Sequence, residues 1–410
     1  MQRYASIVVF FATVAVVLLF WAVVPGGWTA AGATDYQRYY LPVAQNLSAG
    51  RGLVALDGEP AIRYPPGFPL LLTGLLQTAR WTGTSVELWI QGFTLLAMGG
   101  AAVVLYFLAR MIVGTWGALG TVVLWMTYPF NLWLTRQPSS EILFFPLFYA
   151  ALLFVGKILW GDWRRDWTAV GAGVLMGCAI LVRPIALLGG GLLAVIPFVL
   201  CWRKGIRQWA ATAVLILVGN GLVILPWEIW VWRKTGQWIL VSSVGSEAML
   251  DGLTCALVTR GYRNRLEVSP RIAELMEAAA QRWQQGELGT SGEIVWFLAE
   301  QCEQRPFSVL RLLGWKMARA WYGTDAQHKG EQWILAIQVG YLFLIAWGGY
   351  HLWYSGHVGR EWIFFSSMVV LYFWAMTTIS LSILRYMVPV TGLLFVLAGF
   401  NLELLLKRRQ

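Results

Sequence analysis

The sequence predicts an all-α polytopic membrane protein with about ten transmembrane helices. Three observations predict it. Of 410 residues, 58% are hydrophobic and only 13% are charged. A water-soluble domain of this size cannot hide that much apolar surface behind so few charges. The apolar residues also gather in runs near the length of about 20 that a bilayer crossing requires. Finally, the chain carries 25 tryptophans, a residue favoured at the membrane interface, where the ring is buried and the N–H stays wet.

Apolar runs place spans at 4–24, 87–109, 116–134, 140–159, 168–183, 185–201, 209–226, 332–354, 362–381 and 384–406. The first follows Arg3 and lacks a small-x-small cleavage site, so it reads as a retained span rather than a leader. A further apolar run, 65–79, opens Pro-Pro-Gly-Phe-Pro and is short for a crossing. Parity decides it. If 65–79 does not cross, Arg3, Arg110, Lys157, Arg164, Arg165, Arg203, Lys204, Arg207, Arg360, Lys407, Arg408 and Arg409 share one side. The positive-inside rule makes that side cytoplasmic. The segment 65–79 is therefore expected to lie as a helix at the outer interface. Two external regions follow, at 25–86 and 227–331. The expected organisation is a catalytic module of seven spans over 1–226, an external helical region over 227–331, and three C-terminal spans over 332–410. Within 227–331, residues 269–285 start with Ser-Pro and precede Gly286, the punctuation of a helix. Residues 307–322 mix Arg311, Lys316 and Arg319 with apolar residues, a pattern suited to an interfacial helix. The expected location is a bacterial cytoplasmic membrane with the active site facing outward.

The net charge of +10 does not call for nucleic acid, because much of it sits at the inner ends of the spans. Outside the long external region, the remaining cations are Arg38, Arg51, Arg63, Arg80, Arg136, Arg183 and Arg385. All map to the outer side and none is lysine. Guanidinium binds phosphate as a bidentate fork and is less strongly hydrated than ammonium. A phosphate head group suits such a rim, although pairing with local acids or ordinary lipid would leave the same pattern. No charge falls near the middle of a span, where ion-coupled transporters usually place one.

The first loop supplies an acid. Asp35 follows the first span, and Tyr36, Arg38, Tyr39 and Tyr40 continue into a helical pattern that Gly50 and Gly52 end. An acid there can serve merely to stabilise a helix N-terminus. It can also act as a general base, taking the proton from an acceptor hydroxyl or amine as that group attacks an anomeric carbon. Arginines nearby would then stabilise the charge developing on a departing lipid phosphate.

The elements Asp35-Tyr36, Tyr39-Tyr40, Asn46-Leu47, Gly50-Arg51-Gly52 and Arg63-Tyr64-Pro65-Pro66-Gly67-Phe68-Pro69-Leu70 together resemble the first external loop of the GT-C glycosyltransferases. The likeness is to the protein mannosyltransferase-like and aminoarabinose transferase-like group. Weaker likenesses lie at Pro226-Trp227, Ser140-Glu141 and Arg385-Tyr386. The resemblance implies catalysis by Asp35 with a polyprenyl-phosphate sugar as donor. It also implies seven spans before the second external region, the number reached independently from charge. Many relatives carry two adjacent acids where this chain has Asp35-Tyr36.

Other candidates surround this core. Glu141 can orient a sugar hydroxyl or pair with Arg136. Asp57 and Glu59 lie in Leu-Asp-Gly-Glu-Pro, which reads first as a turn. Asp325 and His328 precede the eighth span, but a lone His-Asp pair falls short of the three or four ligands of stable metal sites. No cofactor or divalent metal is expected. Cys255 and Cys302 share the long external region, where a disulfide is allowed. The absence of a glycine-rich phosphate loop disfavours a nucleotide-sugar donor. Gly189-Gly190-Gly191 within a span points to close helix packing instead.

The expected activity is inverting transfer of a hexosyl or pentosyl group from polyprenyl phosphate to a glycan, lipid or protein acceptor outside the cytoplasm. Asp35 would be catalytic. Arg38, Tyr39, Arg63, Tyr64, Arg136, Glu141, Arg183, His328, Arg385 and Tyr386 would bind substrate. Two alternatives stay open: a flippase for a lipid-linked sugar, and a sugar-polymer ligase.

Overall fold

The computed structural model describes residues 2–24, 35–161, 165–201, 205–254, 268–324 and 330–407. The helices run α1 (Gln2–Val23), α2 (Leu41–Ser48), α3 (Gly67–Thr82), α4 (Val86–Arg110), α5 (Thr115–Thr127), α6 (Pro129–Leu134), α7 (Ser140–Trp160), α8 (Arg165–Ile180), α9 (Gly189–Cys201) and α10 (Ile206–Thr235). They continue with α11 (Val244–Thr254), α12 (Pro270–Gln284), α13 (Ser291–Gln304), α14 (Pro306–Arg319), α15 (Glu331–Tyr354), α16 (His357–Ile379) and α17 (Leu384–Lys407). Among the described residues, eight segments are long and apolar enough to cross a membrane. The protein is thus an all-α integral membrane protein.

Two of the expected spans are not among these eight. The run 116–134 is divided into α5 and α6 at Tyr128, which is extended (φ −63°, ψ 119°). Pro129 follows, and the residue before proline is driven out of the helical region. The run at 168–183 becomes α8, of 16 residues. The seventh span is longer than expected, since α10 continues past Pro226 to Thr235. The segment 65–79 forms α3, of 16 residues, which is not among the eight.

The chain divides into two compact units. The first comprises Met1–Val241, Ile345–Ser366 and Thr391–Gln410. Its centre is α7, whose Phe144, Phe145, Phe148 and Tyr149 are at most 1% exposed. Trp125 of α5 donates its indole N–H to the Tyr149 hydroxyl (2.9 Å), so a buried polar pair is satisfied inside the helical bundle. α8 and α10 approach closely through glycine. A Cβ on Gly173 would collide with the Ile216 carbonyl oxygen, and one on Gly219 with that of Val170. Small residues at such crossings let helix backbones touch. The expectation for the glycine run holds at Gly189 and Gly190, where an added Cβ would strike Met176 and Asn220. It does not hold at Gly191, which faces open space.

The opposite end of this unit is held by acids. Glu403 of α17 accepts from the Gly117 amide (3.0 Å) at the start of α5 and pairs with Lys407 at 3.3 Å. A carboxylate suits a helix N-terminus, where amides lack partners. Near the end of α10, the Trp227 indole donates to the Val241 carbonyl (2.8 Å) and the Val241 amide donates to Glu228 (2.7 Å). Val241 is held at φ 63°, a conformation that β-branched residues avoid.

The second unit comprises Ser242–Leu344 and Ser367–Val390. Leu250, Leu253, Leu275, Ile294, Phe297 and Leu312 build its core from α11 to α14. α12 begins after Ser269, as the Ser-Pro signal predicts, and α13 carries a capping box between Thr290 and Glu293. Cys302 is exposed; Cys255, Asp325 and His328 lie outside the described residues.

Candidate active site

The first loop folds as a helix over 35–48 whose opening turn, Tyr36–Tyr40, is π-helical. Such turns recur at functional sites because the extra residue redirects side chains. Asp35 begins the helix and is exposed. Its Oδ1 accepts a hydrogen bond from the Tyr64 hydroxyl at 3.0 Å. Tyr64 is fixed in turn. It precedes Pro65-Pro66, which restricts its backbone, and its ring lies 5.1 Å from Tyr40 and 5.2 Å from Tyr39. Tyr40 also packs edge-on against Phe68 at 5.1 Å. Pairs at these separations contribute beyond simple burial. The Arg63 guanidinium lies 5.8 Å from the Tyr64 ring centre, and Arg63 is itself exposed.

This loop is docked onto the helix ends of the first unit. The Gly67 amide donates to the Leu181 carbonyl at 2.8 Å, just before Arg183. Gly67 is required there, because a Cβ would meet that carbonyl oxygen at 2.6 Å. The buried hydroxyl of Tyr40 is hydrogen-bonded with Ser140 at the start of α7, and Asp35, Arg183 and Glu141 act on it electrostatically. Burial pushes the Tyr40 phenol well above the ordinary tyrosine value, so it is neutral throughout the physiological range. Tyr39, also raised by burial, reaches about 12.

Below this aromatic layer lies an ion pair. Arg183 Nη1 is 2.5 Å from Glu141 Oε1, with side-chain exposures of 9% and 0%. Arg183 Nη1 also donates to Ser140 Oγ (3.2 Å), and Ser139 Oγ donates to Glu141 Oε2 (2.7 Å). The sequence reading weighed Arg136 as a partner of Glu141 and did not name Arg183 in that role. Arg183 holds Glu141 because α8 ends beside the start of α7. Arg136 stacks over Trp133 at 4.9 Å.

The structure therefore joins Asp35, Tyr39, Arg63 and Tyr64 with Tyr40, Ser140, Glu141 and Arg183. Arg38 is exposed on the same first-loop helix. Arg385 and Tyr386 are half-buried in the first turn of α17 and belong to the second unit. Tyr40 and Ser140 were not among the expected substrate-binding residues, yet they connect the loop to the ion pair. No spacing rule relates residue 40 to residue 140, and only burial of the Tyr39-Tyr40 pair on one helix gives a clue. Among the described residues, no group of three His, Cys, Asp or Glu side chains gathers as metal ligands do.

No family model matches this sequence, and no curated protein does. The fold does have a solved counterpart, the archaeal oligosaccharyltransferase AglB from Archaeoglobus fulgidus in complex with an inhibitory peptide and a dolichol-phosphate. The two agree with a TM-score of 0.63 at 12% identity, covering 99% of this chain and 51% of that one. This chain shares that protein's fold. It spans about half the length of the archaeal protein. A second solved structure, ArnT from Cupriavidus metallidurans bound to undecaprenyl phosphate, aligns with a TM-score of 0.41 at 16% identity, covering 96% of this chain and 77% of that one. Asp35 and its aromatic support stand on the segment between α1 and α3.

Proposed function

We propose that the protein is a membrane glycosyltransferase that moves a sugar from a polyprenyl-phosphate donor to an acceptor on the extracytoplasmic side, with Asp35 as general base. One observation carries this reading. An exposed carboxylate is fixed by the Tyr64 hydroxyl at 3.0 Å, with the guanidinium of Arg63 against the same tyrosine. A carboxylate and a cation at one surface are what displacement of a lipid phosphate needs. The dolichol-phosphate bound by the archaeal protein of the same fold supports a lipid carrier.

In the proposed step, an acceptor oxygen or nitrogen attacks the anomeric carbon and its proton passes to Asp35. The bond from that carbon to the phosphate oxygen breaks, and its electron pair leaves with the polyprenyl phosphate. Arg63 offsets the growing negative charge. A single displacement of this kind inverts the anomeric configuration. Arg183 acts differently from the outer arginines, since its charge is already committed to Glu141; its role is to hold Ser140 and Tyr40 in place. The sugar is a hexose or pentose, the acceptor a glycan, lipid or protein, and the membrane the bacterial cytoplasmic membrane.

The test uses the full chain in lipid nanodiscs, supplied with a panel of polyprenyl-phosphate monosaccharides, with release of polyprenyl phosphate measured. Asp35→Asn keeps the shape and removes the base, so turnover should fall by about 10²–10⁴-fold. Near-normal turnover by folded D35N protein would sink the mechanism. Movement of the lipid-linked sugar between leaflets without release of polyprenyl phosphate would favour a flippase instead.

A further inference from the structure

We infer that α14 is a membrane-interface helix, with its exposed stripe of Phe307, Leu310, Gly314 and Met317 immersed among outer-leaflet phospholipids and Arg311 set at the level of their phosphates. The inference is independent of the proposed chemistry.

The stripe follows helical periodicity. Phe307, Leu310 and Met317 are 72%, 61% and 40% exposed, and Arg311 and Gly314 on the same face are exposed too. The reverse face, Val309 and Leu312, is buried in the core of the second unit. The helix is therefore apolar on two sides, and among the described residues protein covers only one. In water the outer side would be an uncompensated apolar surface. Its placement supplies the missing solvent. The Trp374 indole on α16 donates to the Met317 carbonyl (2.8 Å). Lys316 Nζ lies 3.4 Å from the Ile379 carbonyl oxygen, and Arg319 Nη1 lies 3.4 Å from that of Ser382. These acceptors mark the C-terminal end of α16, a helix long and apolar enough to cross the membrane. Cations are favourable at a helix C-terminus, whose last carbonyls lack partners. Arg360, which the positive-inside count assigns to the cytoplasmic side, stands at the other end of α16, so on that count the end that holds α14 is the outer one. On the spans of this unit, Trp333, Leu371 and Ile379 are 71%, 52% and 48% exposed, as lipid-facing residues are. The stripe thus continues the lipid-facing surface at the depth where interfacial helices lie, and the one cation on it complements lipid phosphate.

Spin labels at Phe307→Cys, Leu310→Cys and Met317→Cys test this, in full-length protein with its native cysteines replaced and reconstituted in phosphatidylglycerol-containing nanodiscs. The control is Gln281→Cys, exposed on α12. Oxygen collisions relative to those of a water-soluble nickel chelate should rise several-fold over the control at all three positions. Equal ratios at stripe and control overturn the inference in favour of water. Low collision rates with both reagents overturn it in favour of a protein cover. A position that misfolds on labelling is replaced by Ala318→Cys on the same face.

Discussion

The ion pair between Glu141 and Arg183 can be made to report on how the site is built. The two groups are 2.5 Å apart, with side chains 0% and 9% exposed. Both have left water, so their mutual attraction is large and the cost of desolvating them is large too. Removing one partner deprives the other of its counter-charge and costs about 3–5 kcal/mol. Replacing both with apolar residues of similar volume removes attraction and desolvation together, and costs little. Glu141→Leu and Arg183→Met alone should therefore each lower stability by about 3–5 kcal/mol, while the double variant lies close to the parent. Chemical denaturation in detergent micelles, followed by circular dichroism, gives the four corners of the cycle. Losses that simply add would refute the reasoning. Single-variant losses below about 1 kcal/mol would do the same, since that is how a solvent-exposed pair behaves.

Three further outcomes are expected. Tyr64→Phe keeps the ring packed on Tyr40 but removes the bond to Asp35; kcat should fall about five-fold, the equivalent of about 1 kcal/mol, with KM little changed, and an unchanged kcat would deny Tyr64 its positioning role. Gly219→Ala drives a Cβ into the Val170 carbonyl and should cost about 1–3 kcal/mol, whereas Gly221→Ala, with its nearest neighbour at 3.8 Å, should gain about 0.5–1 kcal/mol from helix propensity; thermal midpoints give both signs. Burial raises Tyr36 and Tyr39 to about 12, while an unfolded tyrosine ionises near pH ~10. The unfolded chain then holds fewer protons than the native one between these values, so stability falls as pH rises through that window and is untouched by these residues below it. Midpoints measured across alkaline pH should show the fall, and a Tyr36→Phe/Tyr39→Phe variant should blunt it.

Much of the architecture was legible because the bilayer imposes a length on apolar runs. Gly83 at φ 66° ends α3, just past the apolar run at 65–79, and the Asp57 turn is closed by the Glu59 amide at 3.1 Å. Where the sequence misled, a local rule competed with apolarity. Pro129 breaks an apolar run that hydropathy alone reads as one span. α10 runs past Pro226 because hydropathy fades at Trp227 and Glu228 although the helix does not. At the site, Asp35 and Tyr64 could be named from the first loop alone. The pairing of Glu141 with Arg183 could not, because it depends on which helix end lies next to which. The packing of α8 against α7 brings Arg183 to Glu141.

The bond from the Gly67 amide to the Leu181 carbonyl bears on timing. It clasps the loop before α3 to the rigid end of the helical bundle, and the proline pair before it stiffens the clasp. The Asp35 carboxylate is therefore oriented by the fold itself. Under the proposed mechanism a lipid-linked substrate would meet a carboxylate already oriented, so the reorganisation that a mobile loop would need at each turnover would be completed once, when the chain folds.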